Sequence, residues 1–564
     1  MKYTPAQLIS RYEALRTSRR TVESVWNDIT RLVFPYKGDM FRDYPDEQSV
    51  DWRDNRDTFD STAIFAANTL AASIHGSLTS PTIRWFELRF REDDANEIPG
   101  AKEWLEDTAE KIYQALQDSN FNLEANEMYQ DLVGYGTSIL VEEDRSDVTQ
   151  SKNWEGVDFQ CIPIRECFFE ANARGQIALF YRRHDWTAVQ ICSKFREEDI
   201  PDKIKKQAQS AESMGSNHEV VFCVYPLEFN TEDMDQPDTT KPISPERRPF
   251  QWAYVLKSDK TTLASGGYYE MPAFVPRWRK MSGSQWGYSP AMVALPDIKT
   301  LNAITEQGLV AGEKAIDPPI FVPERDIFSD LDFTAGAVNV VRSTEGIVPF
   351  TSTSDYQQEV SREERLQMSI RQAFHADDLM LKESPAMTAT EVQARMELMQ
   401  RLLGPTLGRL QSDFLDPLIE RTFKILWRAG QLNEMPEGVN TSEMDISYLG
   451  PMSRAQSADK VASIDRWVMS QVQLAEINPE VLDNIDFDMA ARESAKLLGT
   501  PAKVVRDKDE VDQLREARAE QQKKQQQMDT MQQGSEVVKN VGGAEGMQQM
   551  QQMQGGEQPP AAIQ

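Results

Sequence analysis

A long stretch in the C-terminal part of the chain has apolar residues at helical spacing. Steps of three and four keep one face of a helix apolar. This spacing holds for Val392, Met396, Met399, Leu403, Leu407, Leu410, Phe414 and Leu418. Thr388 and Glu391 have the spacing of a capping box at its start, and Gly430 marks its end. The pattern predicts one long helix.

Two prolines interrupt this predicted helix. Pro405 and Pro417 each remove a backbone donor and crowd the preceding turn, which costs about 3 kcal/mol inside a helix and usually kinks it. Gly404 precedes the first proline and favours a sharper bend there. The sequence therefore predicts a helix kinked at Gly404, Pro405 and Pro417. A long core helix of a helical domain is the alternative interpretation.

Two further helical patterns flank a β-rich insert. Ser289 and Pro290 form the cap and first turn of a helix over residues 289–316, and a polar helix covers residues 355–376. Strands are predicted between them at 320–322, 338–341 and 347–350. Small residues on the first helix predict a close helix contact, and arginines on the second helix are candidates for further polar contacts. These candidate contacts are Gly308, Ala311, Gly312, Arg362 and Arg365.

The N-terminal half mixes short helices and strands. Helices are predicted at 5–15, near 29–32, at 60–74 with Asp60 as cap and Gly76 as stop, at 101–117 and at 123–133. A strand is predicted at 85–90 and, after a turn at 134–136, further strands at 138–141, 159–162, 178–182, 219–229 and 250–256. The predicted fold class is α+β and helix-rich.

Composition narrows the possible functions. A chain of 564 residues has room for several domains. The net charge of −29 argues against a protein that coats DNA, because neutralising phosphates requires surplus Lys and Arg; it does not exclude a protein past which DNA slides. Four scattered cysteines and four scattered histidines favour neither disulfides nor a zinc site. The sequence shows no signal peptide and no membrane-spanning segment, so we expect synthesis in a reducing cytoplasm and no membrane partner.

The sequence offers little for an enzyme. Gly312-Glu-Lys314 lacks the glycine-rich turn and the Ser or Thr of a phosphate-binding loop. The acidic pairs Asp93-Asp94 and Asp377-Asp378 have no third ligand in view, and adjacent carboxylates point in different directions. We therefore expect no catalytic residues, no cofactor and no metal. A nuclease or packaging ATPase would require such residues.

The last 44 residues differ in composition from the rest. Residues 521–564 contain 14 glutamines, 5 methionines and 6 glycines with almost no aliphatic periodicity. Such composition predicts a disordered or weakly helical tail. A solvated tail is favoured over an arm that contacts scaffold or internal proteins.

Several short motifs, in this order, resemble the portal (head-to-tail connector) proteins of short-tailed bacteriophages. The motifs are Asp60-Ser-Thr-Ala63, 78–81 with Trp85-Phe86, Trp286-Gly-Tyr-Ser-Pro290, Leu295-Pro-Asp297, Leu301-Asn302, Asp317-Pro-Pro319, Met387-Thr-Ala-Thr-Glu-Val392, Leu403-Gly-Pro405, Pro417-Leu-Ile419, Pro479-Glu480 and Ile485-Asp486. Their order and spacing span residues 55–515. No single motif carries the resemblance.

The resemblance implies a division of the chain into the regions of a portal subunit. These are a wing (1–288), a first stem helix (289–316), a β-rich clip (317–354), a second stem helix (355–378), a tunnel loop (379–388), a long kinked wing helix with its return (389–452), a helical crown (453–520) and the tail (521–564). The candidate residues of the tunnel loop that face DNA are Leu381, Lys382, Glu383 and Ser384. In the second stem helix, the resemblance implies that Arg362 and Arg365 either face the channel or form ion pairs between subunits.

The resemblance also implies partners and location. Portals are rings of about twelve copies at one capsid vertex, through which double-stranded DNA enters and leaves. The implied partners are further copies of the chain, double-stranded DNA without sequence specificity, terminase, tail adaptor and tail proteins, and major capsid and scaffolding proteins. The implied location is the portal vertex of the virion. The alternative is a helical scaffold or adaptor protein of the virion that forms no ring.

Overall fold

The computed structural model describes residues 3–37, 58–91, 98, 100–146, 153–172, 175–227, 243–316, 320–321, 348–349, 356–379, 404–436, 444–448, 451–475, 478–498, 500, 504–506 and 508–540. The chain forms two compact units. The first unit comprises Met1–Arg91, Asp107–Met435 and Asn440–Ala455. The second comprises Glu92–Glu106, Pro436–Val439 and Gln456–Gln564.

The described elements confirm an α+β, helix-rich fold. The helices are α1 (Pro5–Leu32), α2 (Thr62–Leu78), α3 (Ala101–Gln117), α4 (Phe121–Tyr135), α5 (Ala188–Lys194), α6 (Asp202–Gln209), α7 (Pro290–Ile316), α8 (Tyr356–Ala373), α9 (Ala376–Leu379), α10 (Asp416–Arg428), α11 (Pro451–Ala475), α12 (Phe487–Leu498) and α13 (Lys508–Asn540). The strands are β1 (Phe86–Phe90), β2 (Leu140–Asp144), β3 (Val157–Cys161), β4 (Cys167–Ala171), β5 (Ile177–Thr187), β6 (Asn217–Pro226), β7 (Phe250–Leu256), β8 (Thr261–Tyr268), β9 (Ala273–Phe274), β10 (Ile320–Phe321), β11 (Val348–Pro349) and β12 (Met444–Tyr448).

Helix α1 begins where the sequence predicts but is one helix instead of two. The Thr4 hydroxyl accepts a hydrogen bond from the Gln7 amide, and the Gln7 side chain accepts one from the Thr4 amide, which completes a capping box. The predicted break between residues 15 and 29 is wrong, because that stretch contains no Gly or Pro to end the helix. Helix α2 likewise continues past Gly76 to Leu78.

A five-stranded antiparallel sheet, in the order β4-β5-β6-β7-β8, forms the centre of the first unit. Helix α1 packs on one face through Leu8, Ile9 and Tyr12. Ile191 of α5 and Ile204 of α6 pack in a second cluster with Val220 and Leu256. Strand β8 was not predicted, because its two adjacent glycines weaken the β pattern. A Cβ on Gly266 would lie 2.5 Å from the Trp252 ring, so the glycine makes room for the tryptophan.

A smaller sheet, in the order β3-β2-β9, adjoins helix α4. Asn120 connects helix and sheet, because its side chain both donates to and accepts from the Phe159 backbone at 2.8 Å. The predicted turn at 134–136 is only partly correct, because α4 continues through Tyr135 and Gly136 alone adopts positive φ, at 75°. Strand β2 accordingly begins at Leu140, two residues later than predicted.

Two short two-stranded pairs complete the first unit. Strand β1 pairs antiparallel with β12, so Phe86 lies opposite Tyr448. Strands β10 and β11 bring together the two ends of the predicted β-rich insert, with Ile320 opposite Pro349. The predicted strand at 338–341 lies outside the described residues.

The second unit contains most of α11, together with α12 and α13. The helical residues predicted for 461–472 and 489–498 lie in α11 and α12. Helix α13 continues to Asn540, so residues 521–540 are helical where a disordered or weakly helical tail was expected. Gln, Lys, Glu, Met and Ala all have good helix propensity, and this overrides the lack of an apolar stripe.

Candidate functional site

Helices α7 and α8 pack side by side and run antiparallel. The Ser369 hydroxyl donates to an Asp297 carboxylate oxygen at 2.7 Å near one end of the pair. Farther along, a Cβ added to Gly308 would lie 3.8 Å from Glu363 Oε1. On α8, Ile370 is fully buried. The pair forms a helical hairpin. Between the two helices in the sequence, the structure describes two short strands, β10 and β11.

The N-terminal end of α7 is fixed to α4 by a close backbone crossing. A Cβ on Gly287 would lie 2.0 Å from the Gly136 carbonyl oxygen, and a Cβ on Gly136 would lie 2.6 Å from the Gly287 oxygen. The Gly287 amide donates to Thr137 Oγ1 at 2.8 Å. Ser289 Oγ donates to the Gly134 oxygen at 2.7 Å and accepts from the Met292 amide at 3.0 Å. Ser289 therefore caps α7, as predicted, and also anchors it.

Polar contacts with the segment just before α2 hold the same end of the hairpin. The Asn302 side chain accepts from the Phe59 amide at 2.7 Å. Gln367 donates from α8 to Asp60 at 2.9 Å, while the other Asp60 oxygen caps α2 through Thr62. Residues Asp60, Leu301 and Asn302, which the motifs singled out, thus lie around one junction.

The other half of α7 is poorly covered by the chain. Leu301 is 1% exposed, but none of the described α7 side chains between 302 and 313 is buried. Leu309 and Val310 are 56% and 43% exposed. A Cβ on Gly312 would meet no atom within 4 Å. The single chain therefore places no close helix contact at Gly312, and the predicted role of Gly308, Ala311 and Gly312 in contacts between subunits stays a prediction.

The remaining sequence candidates fall into two groups. Arg362 and Arg365 are both exposed on α8, so either proposed role remains open to them. Leu381, Lys382, Glu383 and Ser384 lie outside the described residues, as does the predicted helix before residue 404.

The predicted kink at Pro417 coincides with a π-helical turn. Residues 404–410 are helical and include Gly404 and Pro405, and the turn Gln411–Leu415 then leads into α10. The Asp416 amide donates to the Gln411 oxygen, and Pro417 lies in the first turn of α10, where it needs no donor. Phe414 of this turn is fully buried and its ring meets that of Tyr129 edge to face. No observation tests the bend itself, so the kinks predicted at Gly404, Pro405 and Pro417 all stay predictions.

Helix α10 is anchored to β2 by a buried ionic network that the sequence did not reveal. Arg421 Nε lies 3.5 Å from Glu142 Oε2, and the Thr422 hydroxyl donates to Glu142 Oε1 at 2.8 Å. Arg421 also donates to the Glu270 carbonyl oxygen at 3.0 Å, and Arg428 donates twice to the Glu270 carboxylate at 2.7 and 2.9 Å. Burial raises the pKa of Glu142 to about 7, against the opposing effects of Arg421 and Thr422.

Neither a metal centre nor a membrane span is found in the described part of the chain. No group of three or more His, Cys, Asp or Glu side chains there could hold a metal ion. None of the described helices is long and apolar enough to cross a membrane.

Comparison with known proteins identifies the family. The model of the family described as "Bacteriophage head to tail connecting protein" matches residues 5–505. The chain belongs to this family. It is also 28% identical over 546 residues to the "Probable portal protein" of Bordetella phage BPP-1, with 95% of each chain covered. The "Portal protein" of Salmonella phage epsilon15 is 25% identical over 551 residues, again with 95% of each chain covered.

Family membership confirms the resemblance that the motifs indicated. In a head to tail connecting protein, the candidate functional regions of this chain are the helical hairpin, the anchored helix α10 and the second unit. The sequence contained a weak signal for the missed network: Glu142 follows the apolar run 139–141, and Arg421 lies between Ile419 and Phe423. Charged residues in such surroundings are buried only when paired.

Proposed function

We propose that the chain is the subunit of a ring of about twelve copies at one vertex of a phage capsid. The channel of this ring carries double-stranded DNA during packaging and ejection. The ring first docks terminase and later the tail proteins. The regions described for the sequence, from wing to crown, are the parts of this subunit, and residues 381–384 line the channel.

One observation on α7 supports the assembly more than any other. This half of the helix leaves Leu309 and Val310 exposed, close to Gly312, whose position is open in the single chain. Apolar side chains and small residues along one helix are typical of a surface that another helix covers. Further copies of the chain in a closed ring supply that cover, and the match of relatives named as portal proteins over 95% of the chain agrees with it.

The proposal is tested by assembly of the purified chain and of one matched pair of variants. Leu309→Glu places a carboxylate in the proposed contact, and burying it there costs several kcal/mol. Gln307→Glu adds the same charge at a neighbouring exposed position of α7. We expect negative-stain images of the wild type and of Gln307→Glu to show rings with a central hole. For Leu309→Glu we expect the ring fraction to fall by roughly tenfold or more.

Two outcomes contradict the proposal. Elongated, reversible oligomers without a hole in the wild type favour the scaffold or adaptor. Wild-type yields of rings from Leu309→Glu show that the exposed half of α7 is no subunit contact.

A further inference from the structure

One hydroxyl group at the contact between helix α10 and strand β2 lies close to two acceptors. Thr422 Oγ1 is 2.8 Å from Glu142 Oε1 and 2.9 Å from the Leu418 carbonyl oxygen. A hydroxyl carries a single hydrogen, so Thr422 can donate to only one of these oxygens. A proton on Glu142 Oε1 removes the conflict, because Glu142 then donates to Thr422 while Thr422 donates to Leu418. Both short distances are hydrogen bonds only in this protonated form.

The other oxygen of Glu142 also fits a neutral carboxylic acid. Oε2 is buried and forms no hydrogen bond with any described residue. Arg421 Nε lies 3.5 Å away and is likewise without a hydrogen bond within the described part of the chain. A buried carboxylate oxygen without a hydrogen bond is much less favourable than the carbonyl oxygen of a neutral acid. Two separate contacts of one side chain therefore indicate a proton on it.

Charged groups on three parts of the chain act on Glu142 in opposite directions. Arg421 of α10 favours the carboxylate, whereas Glu270, between β8 and β9, and Asp144 of β2 favour the neutral acid. Arg421 Nη1 also lies 3.5 Å from the Glu270 carboxylate, to which Arg428 of α10 binds as well. Arg421 is therefore shared between two carboxyl groups and does not neutralise Glu142 alone.

The two residues that β3 and the segment before β9 place beside Glu142 carry no charge. Phe159 of β3 lies opposite Glu142, and the Glu142 amide donates to the Pro272 carbonyl oxygen at 2.9 Å. Burial is the largest effect on this side chain, and it raises the pKa of Glu142 to about 7. Gain or loss of one proton near neutral pH thus separates two states of this contact.

We propose that a proton on Glu142 Oε1 controls how firmly α10 is held against β2. In the protonated form, the bonds from Glu142 to Thr422 and from Thr422 to Leu418 are both made. When the O–H bond breaks and the proton leaves to solvent, the carboxylate takes the Thr422 hydrogen, and Leu418 loses that bond. The buried carboxylate is also unfavourable because it has given up its contact with water. Helix α10 should therefore separate from β2 more often as pH rises, whether or not the chain forms a ring.

Infrared spectroscopy of the full-length chain tests where the proton lies. A neutral carboxylic acid has a carbonyl stretching band that a carboxylate lacks. In the difference between wild type and Glu142→Gln, we expect this band at pH 5.5 and its loss at alkaline pH, with a midpoint of about 7. Subtraction of the variant removes the bands of the other carboxyl groups. Absence of the band at pH 5.5 overturns the proposal.

Hydrogen exchange of the α10 amides tests whether the proton holds the helix. Exchange rates, corrected for the intrinsic effect of pH, report how often a segment opens. For wild type, a folded pKa of about 7 and an ordinary value of 4.5 predict roughly 25-fold more frequent opening of α10 at pH 8 than at pH 5.5. Glu142→Gln should show no such rise, because its side-chain amide donates to Thr422 as the acid does and does not titrate.

Two variants control for effects unrelated to this contact. Thr422→Ser keeps the hydroxyl group and should keep the rise in opening with pH. Glu143→Gln changes the same charge at the next position of β2, where the carboxylate accepts from Tyr268 at 3.4 Å, and should also behave like wild type. A rise that persists in Glu142→Gln overturns the proposal. Opening of α10 in wild type that does not change with pH overturns it as well, and this measurement requires no variant to fold.

Discussion

At the scale of single residues, the structure shows why certain positions hold polar or small side chains in apolar surroundings. Gly136 and Gly287 let two backbones cross at the start of α7, where a Cβ has no room. Glu142 is 0% exposed and shares Arg421 with Glu270. The sequence singled out Gly287 and Ser289 through a motif, but it gave no sign that Glu142 and Arg421 meet, because 279 residues separate them. Pairings of that range depend on the completed fold.

The pKa of Glu142 leads to a prediction about pH and stability. Its folded pKa of about 7 lies above the ordinary 4.5, so the folded state keeps a proton that the unfolded state releases. Stability therefore falls as pH rises from about 4.5 to 7. Above pH 7 the free energy of unfolding is lower than at acidic pH by on the order of 3 kcal/mol from this group. Glu142→Gln removes the titrating group and retains an acceptor for Thr422. We expect the variant to gain stability relative to wild type as pH rises through this window.

Denaturation in guanidinium chloride at pH 5 and pH 8 measures the effect on Glu142→Gln and wild type. Glu143→Gln, at the next and half-buried position of β2, is the control, because it changes the same charge at a carboxylate that bonds to Tyr268 and not to Arg421 or Thr422. Parallel pH profiles of Glu142→Gln and wild type contradict the assignment of the titration to Glu142.

At the scale of elements, the sequence pattern predicted which helices and strands are present better than it predicted the residues at which they begin and end. Helix α3 and strand β7 match their predicted limits, whereas α1 joins two predicted helices and α13 extends into the expected tail. The π-helical turn before α10 could not be predicted, because the apolar spacing of Leu410, Phe414 and Leu418 is helical throughout. Contacts made in the completed fold hold this turn, among them the packing of Phe414 against Tyr129 and the ion pair of Asp413 with Arg277. A π-helical turn thus accommodates a proline that an unbroken helix would not tolerate.

This geometry predicts the sign of the stability change when Pro417 is replaced by Ala. A strained proline inside a helix would make Pro417→Ala more stable by about 3 kcal/mol. In the first turn of α10 the proline is unstrained and restricts the unfolded chain, so the same change should instead lower the free energy of unfolding by about 0.4–1 kcal/mol. Pro290→Ala at the first position of α7 is the matched control and should behave alike. Chemical denaturation of both variants checks this, and a stabilised Pro417→Ala would show that the π-helical turn stores strain.

At the scale of the whole molecule, the order of short motifs carried more information than any element. The motifs from Asp60 to Asp486 predicted the family that the match over residues 5–505 shows. Contacts between copies could not be predicted in this way, because a residue that remains uncovered, such as Leu309, looks like an ordinary core position in a sequence. Its exposed fraction of 56% in the folded chain makes it a candidate for the proposed contact.

At the same scale, the net charge of the chain predicts its affinity for DNA. Proteins that bind duplex DNA without sequence specificity do so at about 10⁻⁴–10⁻⁶ M by neutralising phosphates with Lys and Arg. A net charge of −29 opposes this, so we expect binding weaker than about 10⁻⁴ M at physiological salt. Fluorescence anisotropy with a short labelled duplex measures this binding.

The control variant replaces Gln521, Gln522 and Gln525, all exposed on α13, with Lys beside Lys523 and Lys524. This variant should bind the duplex more tightly, with a steep salt dependence. Micromolar binding by the wild type would contradict a channel that leaves DNA free to slide, because DNA would then meet a deep energy minimum on the protein.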